Sequence, residues 1–315
     1  MKNLIIISGP TAVGKTDLSL SMAERVGGEI ISADSMQVYK GFDIGTAKIS
    51  TDQMRGIKHH LIDILGPDEE FNVYEFKKRS DICIREISER GFIPIIVGGT
   101  GFYIQSVLYD IEFTDEESDT AYRDELLRSA ASYGSEYIYR LLEKADPQAA
   151  EHIHPNNVKK VVRALCFCHE TGSRFSEHND EQRLRESPYN YAYFVLNRDR
   201  SELYRRINTR VDLMLQQGLV QEVKGLLDSG IRRDSLAMQG LGYKEIIRYL
   251  DGCLSLEEAA EEIRKGSRHF AKRQITWFKR EKDVIWMNYE DHPDEKALLS
   301  SMMEILHKKG IIGKD

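Results

Sequence analysis

Gly9-Pro10-Thr11-Ala12-Val13-Gly14-Lys15-Thr16 decides the fold. It fits GxxxxGK[ST], the phosphate-binding P-loop, and stands between an apolar strand candidate, Leu4 to Ser8, and a helical pattern opening at Thr16. Glycine permits the tight turn that aims successive N–H groups at phosphate oxygens. The helix that follows adds the positive end of its dipole. Lys15 is suited to pair with a terminal phosphate, and the Thr16 hydroxyl to face a Mg2+ ion. Residues Gly9 to Thr16 are therefore the expected polyphosphate site, as against a chance glycine-rich turn.

The next landmark narrows the chemistry. Nucleotide-hydrolysing P-loop proteins usually carry a second strand ending in Asp, which helps hold magnesium. Here the best buried-strand candidate, Phe92-Ile93-Pro94-Ile95-Ile96-Val97, ends in Gly98-Gly99-Thr100-Gly101. That tip offers amides and a hydroxyl, which suit holding a diphosphate better than activating a water. The acid lies elsewhere: Gly28 to Ser35 reads as a short strand with Asp34 at its carboxyl end. Open parallel sheets bind ligands outside those ends, so Lys15, Asp34 and Thr100 are expected in one crevice. On local sequence alone Asp34 could also be a helix N-cap or a turn former.

Strand and helix patterns alternate through the first third: Leu4–Ser8, a helix over Lys15–Val26, Glu29–Ser32, a short strand within His60–Ile64, a helix over Val73–Arg90, then Ile93–Val97. This order predicts an α/β fold, a P-loop core with a central parallel sheet flanked by helices. After Tyr109 the character changes. Residues 115–119 are acidic, and 120–171 read as helices broken at Gly134 and Pro147, with a fresh start at Pro155-Asn156-Asn157. Residues 172–190 read as a polar loop. A strand resumes at Tyr191. The expected organisation is a core over 1–114, an all-helical insertion over 115–190, and the rest of the core with basic C-terminal helices over 191–315.

The chain of 315 residues has a net charge of −7, which by itself does not suggest nucleic acid. The distribution does: eight Lys or Arg face the single acid Glu281 between Arg264 and Lys282. If that segment is helical, Arg264, Arg268 and Lys272 share a stripe, with Arg273, Trp277 and Arg280 beside it. Such a surface suits an RNA backbone, with aromatics to stack or pack; the alternative is a solvated helix with its aromatics in the core. Leu203, Ile207, Val211, Met214 and Leu215 recur at helical spacing and mark a buried face. Arg210 lies off it, either solvated or free to reach the sheet edge.

Four scattered cysteines, no signal-like leader and no apolar run of membrane length lead to an expected cytoplasmic protein with no membrane association. His152, His154, Cys166, Cys168 and His169 have spacings that match no common zinc pattern.

GPTAVGKT (9–16), ADSMQVYKGFDIGTAK (33–48), IPIIVGGTGFY (93–103), QGLGYKE (239–245) and FAKRQITWF (270–278) together resemble the tRNA dimethylallyltransferase (tRNA isopentenyltransferase) family, in order and across the whole chain. The resemblance implies transfer of a dimethylallyl group from dimethylallyl diphosphate to N6 of the adenosine immediately 3′ of the anticodon, in tRNAs with an A-A-A run there. It implies Mg2+ as cofactor, with Thr16 as its protein ligand, and the tRNA anticodon stem-loop as partner. Asp34 becomes the expected general base, and Thr100 and Arg210 the groups that act with the P-loop on the departing diphosphate. The target base must leave its stack, with Ser35, Met36 and Gln37 near it. Further tRNA contacts are expected at Lys159, Lys160 and Arg163 of the insertion, at Gly240 and Tyr243, and at Arg268, Lys272, Arg273 and Gln274. No stable protein partner is implied, and a monomer is expected. The sequence departs from the family pattern at Ala164 to His169.

Three rivals stand beside this reading. An enzyme prenylating free adenine nucleotides would need neither the insertion nor the basic helix. A small-molecule kinase accounts for residues 9–16 alone. A non-catalytic RNA-binding protein with a regulatory P-loop would have no use for Asp34 or Arg210.

Overall fold

The computed structural model describes residues 1–113 and 120–313. Strand β1 (Lys2–Ser8) buries Leu4, Ile5, Ile6 and Ile7 completely, as a central parallel strand covered on both faces must. The P-loop leads into α1 (Lys15–Val26), closed by Gly27 in the left-handed conformation, and the chain returns as β2 (Gly28–Ala33). A minimal β3 (His59–His60) follows, then α2 (Val73–Glu89), whose N-cap Asn72 accepts a bond from the Glu75 N–H. Strand β4 (Ile93–Gly98) and helix α3 (Gly101–Leu108) complete the first half. The strand expected within His60–Ile64 is cut short because Leu61 and Asp63 adopt φ of +62° and +54°, which no strand tolerates.

The chain forms two compact units, one of residues Met1–Leu108 with Pro188–Asp315, the other Tyr109–Ser187. The expected boundary between 114 and 115, and the acidic run after it, lie outside the described residues. The second unit is helical: α4 (Thr120–Tyr133), α5 (Ser135–Ala145), α6 (Pro147–His152), α7 (Val158–Thr171) and α8 (Phe175–Leu184). Leu126, Ile138, Leu142, Val161 and Leu165 form its core. Helix α8 corrects the expectation of a loop over 172–190. Its sequence has weak helical periodicity, and what fixes it is tertiary: Phe175 packs edge-on against Phe167, and Ser176 binds the buried Asp146.

The first unit resumes with β5 (Tyr189–Asn197), two residues before the expected start, then α9 (Arg200–Gln216), α10 (Leu219–Asp228), α11 (Tyr243–Leu250), α12 (Leu256–Phe278), β6 (Val284–Asn288) and α13 (Glu295–Lys308). The six strands form one parallel sheet in the order β3-β2-β4-β1-β5-β6. Its core joins Ile5, Ile7 and Phe194 of the sheet to Leu18 and Met22 of α1, Leu203 and Ile207 of α9, and Leu298 and Met302 of α13.

Asp146 is the polar keystone of the helical unit. It is fully buried, caps α6 through the Ala149 N–H, and accepts both the N–H and the hydroxyl of Ser176. Asp146→Ala orphans three buried donors, at an expected cost of about 3 kcal/mol. Hydrogen exchange on the full chain should then speed up in α6 and α8 while α1 stays protected. Burial pushes this carboxyl upward, yet the three hydrogen bonds outweigh burial and leave it below the ordinary 3.8. Its stabilisation is therefore complete above that value and lost as pH falls through the lower folded-state value. Exchange in α6 and α8 of the native protein should accelerate in that acid window, and the alanine variant should lack this dependence.

Candidate active site

The P-loop takes its shape from two left-handed residues, Ala12 (φ +63°) and Gly14 (φ +111°), the latter being the N-cap of α1. Lys15 folds over the loop and donates to the carbonyls of Gly9 (2.9 Å) and Pro10 (2.8 Å). Burial, and then the nearby Arg210 cation, lower its pKa to about 7, against an opposing pull from Asp34. The Thr11 N–H is already spent on the Gln274 side chain at 2.9 Å.

Lys15, Thr16, Ser32, Asp34 and Gln37 line one crevice of about 60 Å3, whose remaining walls include Ile30, Ile49, Ile62 and Val97. The carboxylate of Asp34 is both functional candidate and turn former: its Oδ1 accepts from the N–H groups of Met36 (2.9 Å) and Gln37 (3.4 Å). Gln37 donates to the Thr46 carbonyl and accepts from the Ser32 hydroxyl. Thr100 is not a lining residue of this crevice. It sits at the head of α3, where its carbonyl receives the Tyr103 and Ile104 N–H groups and its own N–H meets the Ala33 carbonyl. Gly98, two residues before it, does line the crevice, and a side chain there would strike the Ala33 backbone.

Arg210 comes from α9 toward the P-loop, where it donates to Thr11 Oγ1 (3.4 Å) and the Thr46 carbonyl (3.3 Å). Burial depresses its pKa, while Asp34 works against that shift. One turn earlier on the same helix, Arg206 donates to the Ala12 carbonyl at 2.8 Å, and Arg198 donates to that of Val13 at 2.9 Å. Sequence reading missed both. The i, i+4 spacing of Arg206 and Arg210 was the available signal.

The loop after Asp34 is held by a residue that no motif pointed to. Glu222 of α10 accepts the N–H groups of Asp43 (3.1 Å), Ile44 (2.6 Å) and Gly45 (3.1 Å), and the Tyr243 hydroxyl at 2.7 Å. Tyr243, an expected tRNA contact, is thus 1% exposed and packs on Gly45 and Phe42. It supports the loop from inside. Gly240 lies beside Met36, with a Cβ there only 2.7 Å from the methionine methyl.

Helix α12 also corrects the sequence reading. It starts at Leu256, so its first turns bring Glu257 and Glu261 to the basic stretch. Arg264 pairs with Asp212 (2.7 Å), Glu257 (2.9 Å) and Glu261 (3.4 Å), and Arg268 with Glu261 (2.9 Å) and Asn208 (2.8 Å). Gln274 is buried and bridges the Thr11 N–H to the Gly99 carbonyl, so it faces the core and not an RNA. Lys272 and Arg273 are exposed, and with His269, Thr276, Trp277 and Arg280 they line a groove of about 470 Å3. In the helical unit, Lys159, Lys160 and Arg163 are exposed on α7.

The IPP transferase family model matches residues 37–281, and the isopentenyl transferase model residues 2–65. The tRNA dimethylallyltransferase of Lachnoclostridium phytofermentans is 55% identical over 312 residues, 99% of this chain and 100% of that protein. That of Bacillus mycoides is 50% identical, over 95% of this chain and 93% of that protein. The crystal structure of the full-length tRNA isopentenylpyrophosphate transferase from Bacillus halodurans is 44% identical, with a TM-score of 0.74 and 98% of each chain covered. A eukaryotic dimethylallyltransferase acting on tRNA is 30% identical with a TM-score of 0.87, over 99% of this chain and 80% of that one. With relatives this similar over nearly its whole length, and a P-loop facing Asp34 across one crevice, this chain belongs to the tRNA dimethylallyltransferase family.

Proposed function

We propose that the protein transfers the dimethylallyl group of dimethylallyl diphosphate to N6 of the adenosine immediately 3′ of the anticodon, in tRNAs with an A-A-A run, and releases diphosphate. The observation that carries this reading is the crevice in which Lys15 and Thr16 meet the Asp34 carboxylate, with amides and no acid at the β4 tip. A hydrolase would need a group to activate water there. A prenyl transferase needs a held leaving group and one base.

In this reading the N6 lone pair attacks C1 of the prenyl group, the C1–O bond breaks, and the N6 proton passes to Asp34. The Met36 and Gln37 N–H groups fix Oδ1, so that Oδ2, which makes no hydrogen bond to the described residues, is the acceptor. Lys15, Arg210 and the loop amides take the charge that develops on the diphosphate. Thr100, expected to join them, stands outside the crevice lining at the head of α3, and its hydroxyl would reach the diphosphate only where the ligand extends past Gly98. Mg2+ fits the hard hydroxyl oxygen of Thr16 in this crevice. Among the described residues no three His, Cys, Asp or Glu gather into a metal site, so such an ion would rely on Thr16, substrate oxygens and water. When bound, it neutralises diphosphate charge. Ser35, Met36 and Gln37 flank the position of the extruded base, and the exposed cations of α7 and α12 hold the RNA backbone.

Nucleoside mass spectrometry tests the reaction. Unmodified tRNA incubated with the protein, Mg2+ and dimethylallyl diphosphate should gain a dimethylallyl mass on adenosine. Asp34→Ala should cut the rate by at least about a thousandfold while still binding inorganic pyrophosphate. ATP consumption without that mass gain would instead point to a kinase.

Two further outcomes follow from the charges. A lysine with a pKa near 7 must be protonated to hold an anion. Pyrophosphate affinity should therefore fall as pH rises from 7 to 9, and Lys15→Met should flatten that profile in a titration series. For RNA, removing Lys272, Arg273 and Arg280 together should weaken tRNA binding and reduce the slope of log K against log salt by about 2 to 3. Arg268→Gln should leave the slope nearly unchanged, because that cation is already paired.

A further inference from the structure

Every peptide of the P-loop is trans, so each carbonyl points opposite to the N–H of the next residue. Holding a carbonyl on one side of the loop therefore aims the following amide to the other side. Three consecutive carbonyls are held in this way. The Ala12 carbonyl accepts from Arg206 Nε at 2.8 Å, the Val13 carbonyl from Arg198 Nε at 2.9 Å, and the Gly14 carbonyl from the Tyr289 hydroxyl at 3.4 Å. The holders brace one another: the Arg198 guanidinium carbon lies 3.4 Å from the centroid of the Tyr289 ring. Gly14 is packed into this group, since a Cβ there would sit 2.7 Å from the Tyr289 hydroxyl.

The amides opposite these carbonyls have little else to do. The Val13 N–H makes only a long 3.4 Å turn bond to the Pro10 carbonyl, and the Gly14 N–H makes no hydrogen bond to the described residues. A loop with left-handed residues at Ala12 and Gly14 has no intrinsic reason to keep both amides on one side. We propose that Arg198 and Arg206 are positioning residues of the diphosphate site, acting through the Val13 and Ala12 carbonyls to turn the Gly14 and Val13 N–H groups toward the diphosphate. This rests on the reading that the P-loop holds the diphosphate. Neither arginine needs to touch the ligand. The contrast is with Arg210, on the same helix, which reaches the Thr11 hydroxyl and no loop carbonyl between 9 and 14.

The test uses the full chain with Mg2+ and inorganic pyrophosphate as the probe. Arg198→Met and Arg206→Met keep the side-chain bulk and remove the donors. Each should weaken pyrophosphate at least tenfold and raise the KM for dimethylallyl diphosphate to match, with the KM for tRNA unchanged. Arg198→Lys and Arg206→Lys, which retain a donor for the carbonyl, should recover much of that loss. Pyrophosphate affinity equal to wild type in both methionine variants would overturn the proposal. So would a loss shared equally by tRNA and accompanied by a lower melting temperature, which marks a purely structural role. The pyrophosphate titration reads the loop without prenyl transfer. A failure of the transferase reading would show in wild-type protein, and a failure of this inference only in the variants.

Discussion

The register of three parallel strands is the constraint on which the site depends. Ser8 of β1 and Ala33 of β2 both pair with Gly98 of β4, so the three strands end at one level. The next residues then open three different loops side by side: the P-loop at Gly9, the turn of Asp34, and the tip at Gly99. The Ser8 hydroxyl donates to the Gly98 carbonyl at 2.7 Å and ties two of these ends together. Gly98 has no room for a side chain against Ala33. A slip of one residue in any of these pairings would invert the buried faces of a strand and move its loop out of line. The energetic demand of burying Ile5, Ile7, Ile30 and Ile95 in one core thus also fixes where the chemistry occurs.

Charge is divided along α12 by the same economy of burial. Its half-buried arginines, Arg264 and Arg268, satisfy their donors on Asp212, Glu257, Glu261 and Asn208 within the first unit. Beyond them Lys272, Arg273 and Arg280 are exposed and make no ion pair with the described residues. Counting basic residues along a sequence cannot separate the two sets, because the neutralising acids lie a helical turn or two earlier, or on α9.

This division shows what was legible in the chain and why. The P-loop, the strand tips at Asp34 and Gly98, and the return to the sheet are written in local pattern: apolar runs buried on both faces, then glycine. Asp34 and Lys15 could be brought together from topology alone, since strand ends converge in a parallel sheet. Helix α8 could not, because it is stabilised by Asp146, thirty residues away in sequence. Tyr243 and Gln274 carry motif-like surroundings, yet each points inward, and no one-dimensional signal says which face of a helix meets the core when polar residues do the bridging. Glu222, Arg198 and Arg206 went unread for a related reason. They bind backbone atoms, which leave no trace in residue identity.

Two of these residues, Arg198 and Arg206, belong to a cationic group that suits the proposed departing diphosphate. Around the loop stand Lys15, Arg198, Arg206 and Arg210, with Asp34 the one carboxylate among the described residues that line the crevice. Burial, and then the neighbouring Arg210 cation, destabilise the charged form of Lys15 and lower its pKa to about 7. In the proposed transfer, an incoming diphosphate would offset that cost, and the more so as the prenyl carbon leaves and its electrons stay on the bridging oxygen. A cost offset most fully at bond cleavage would favour the transition state over the bound substrate. Asp34 gains from the arrangement as well. It sits near enough to Arg210 and Lys15 to interact with both, so in the proposed reaction a proton leaving N6 would pass to the one carboxylate among the described residues that line the crevice. In that reading base and leaving-group site are opposite poles of one field, set up by the ends of β1, β2 and β4.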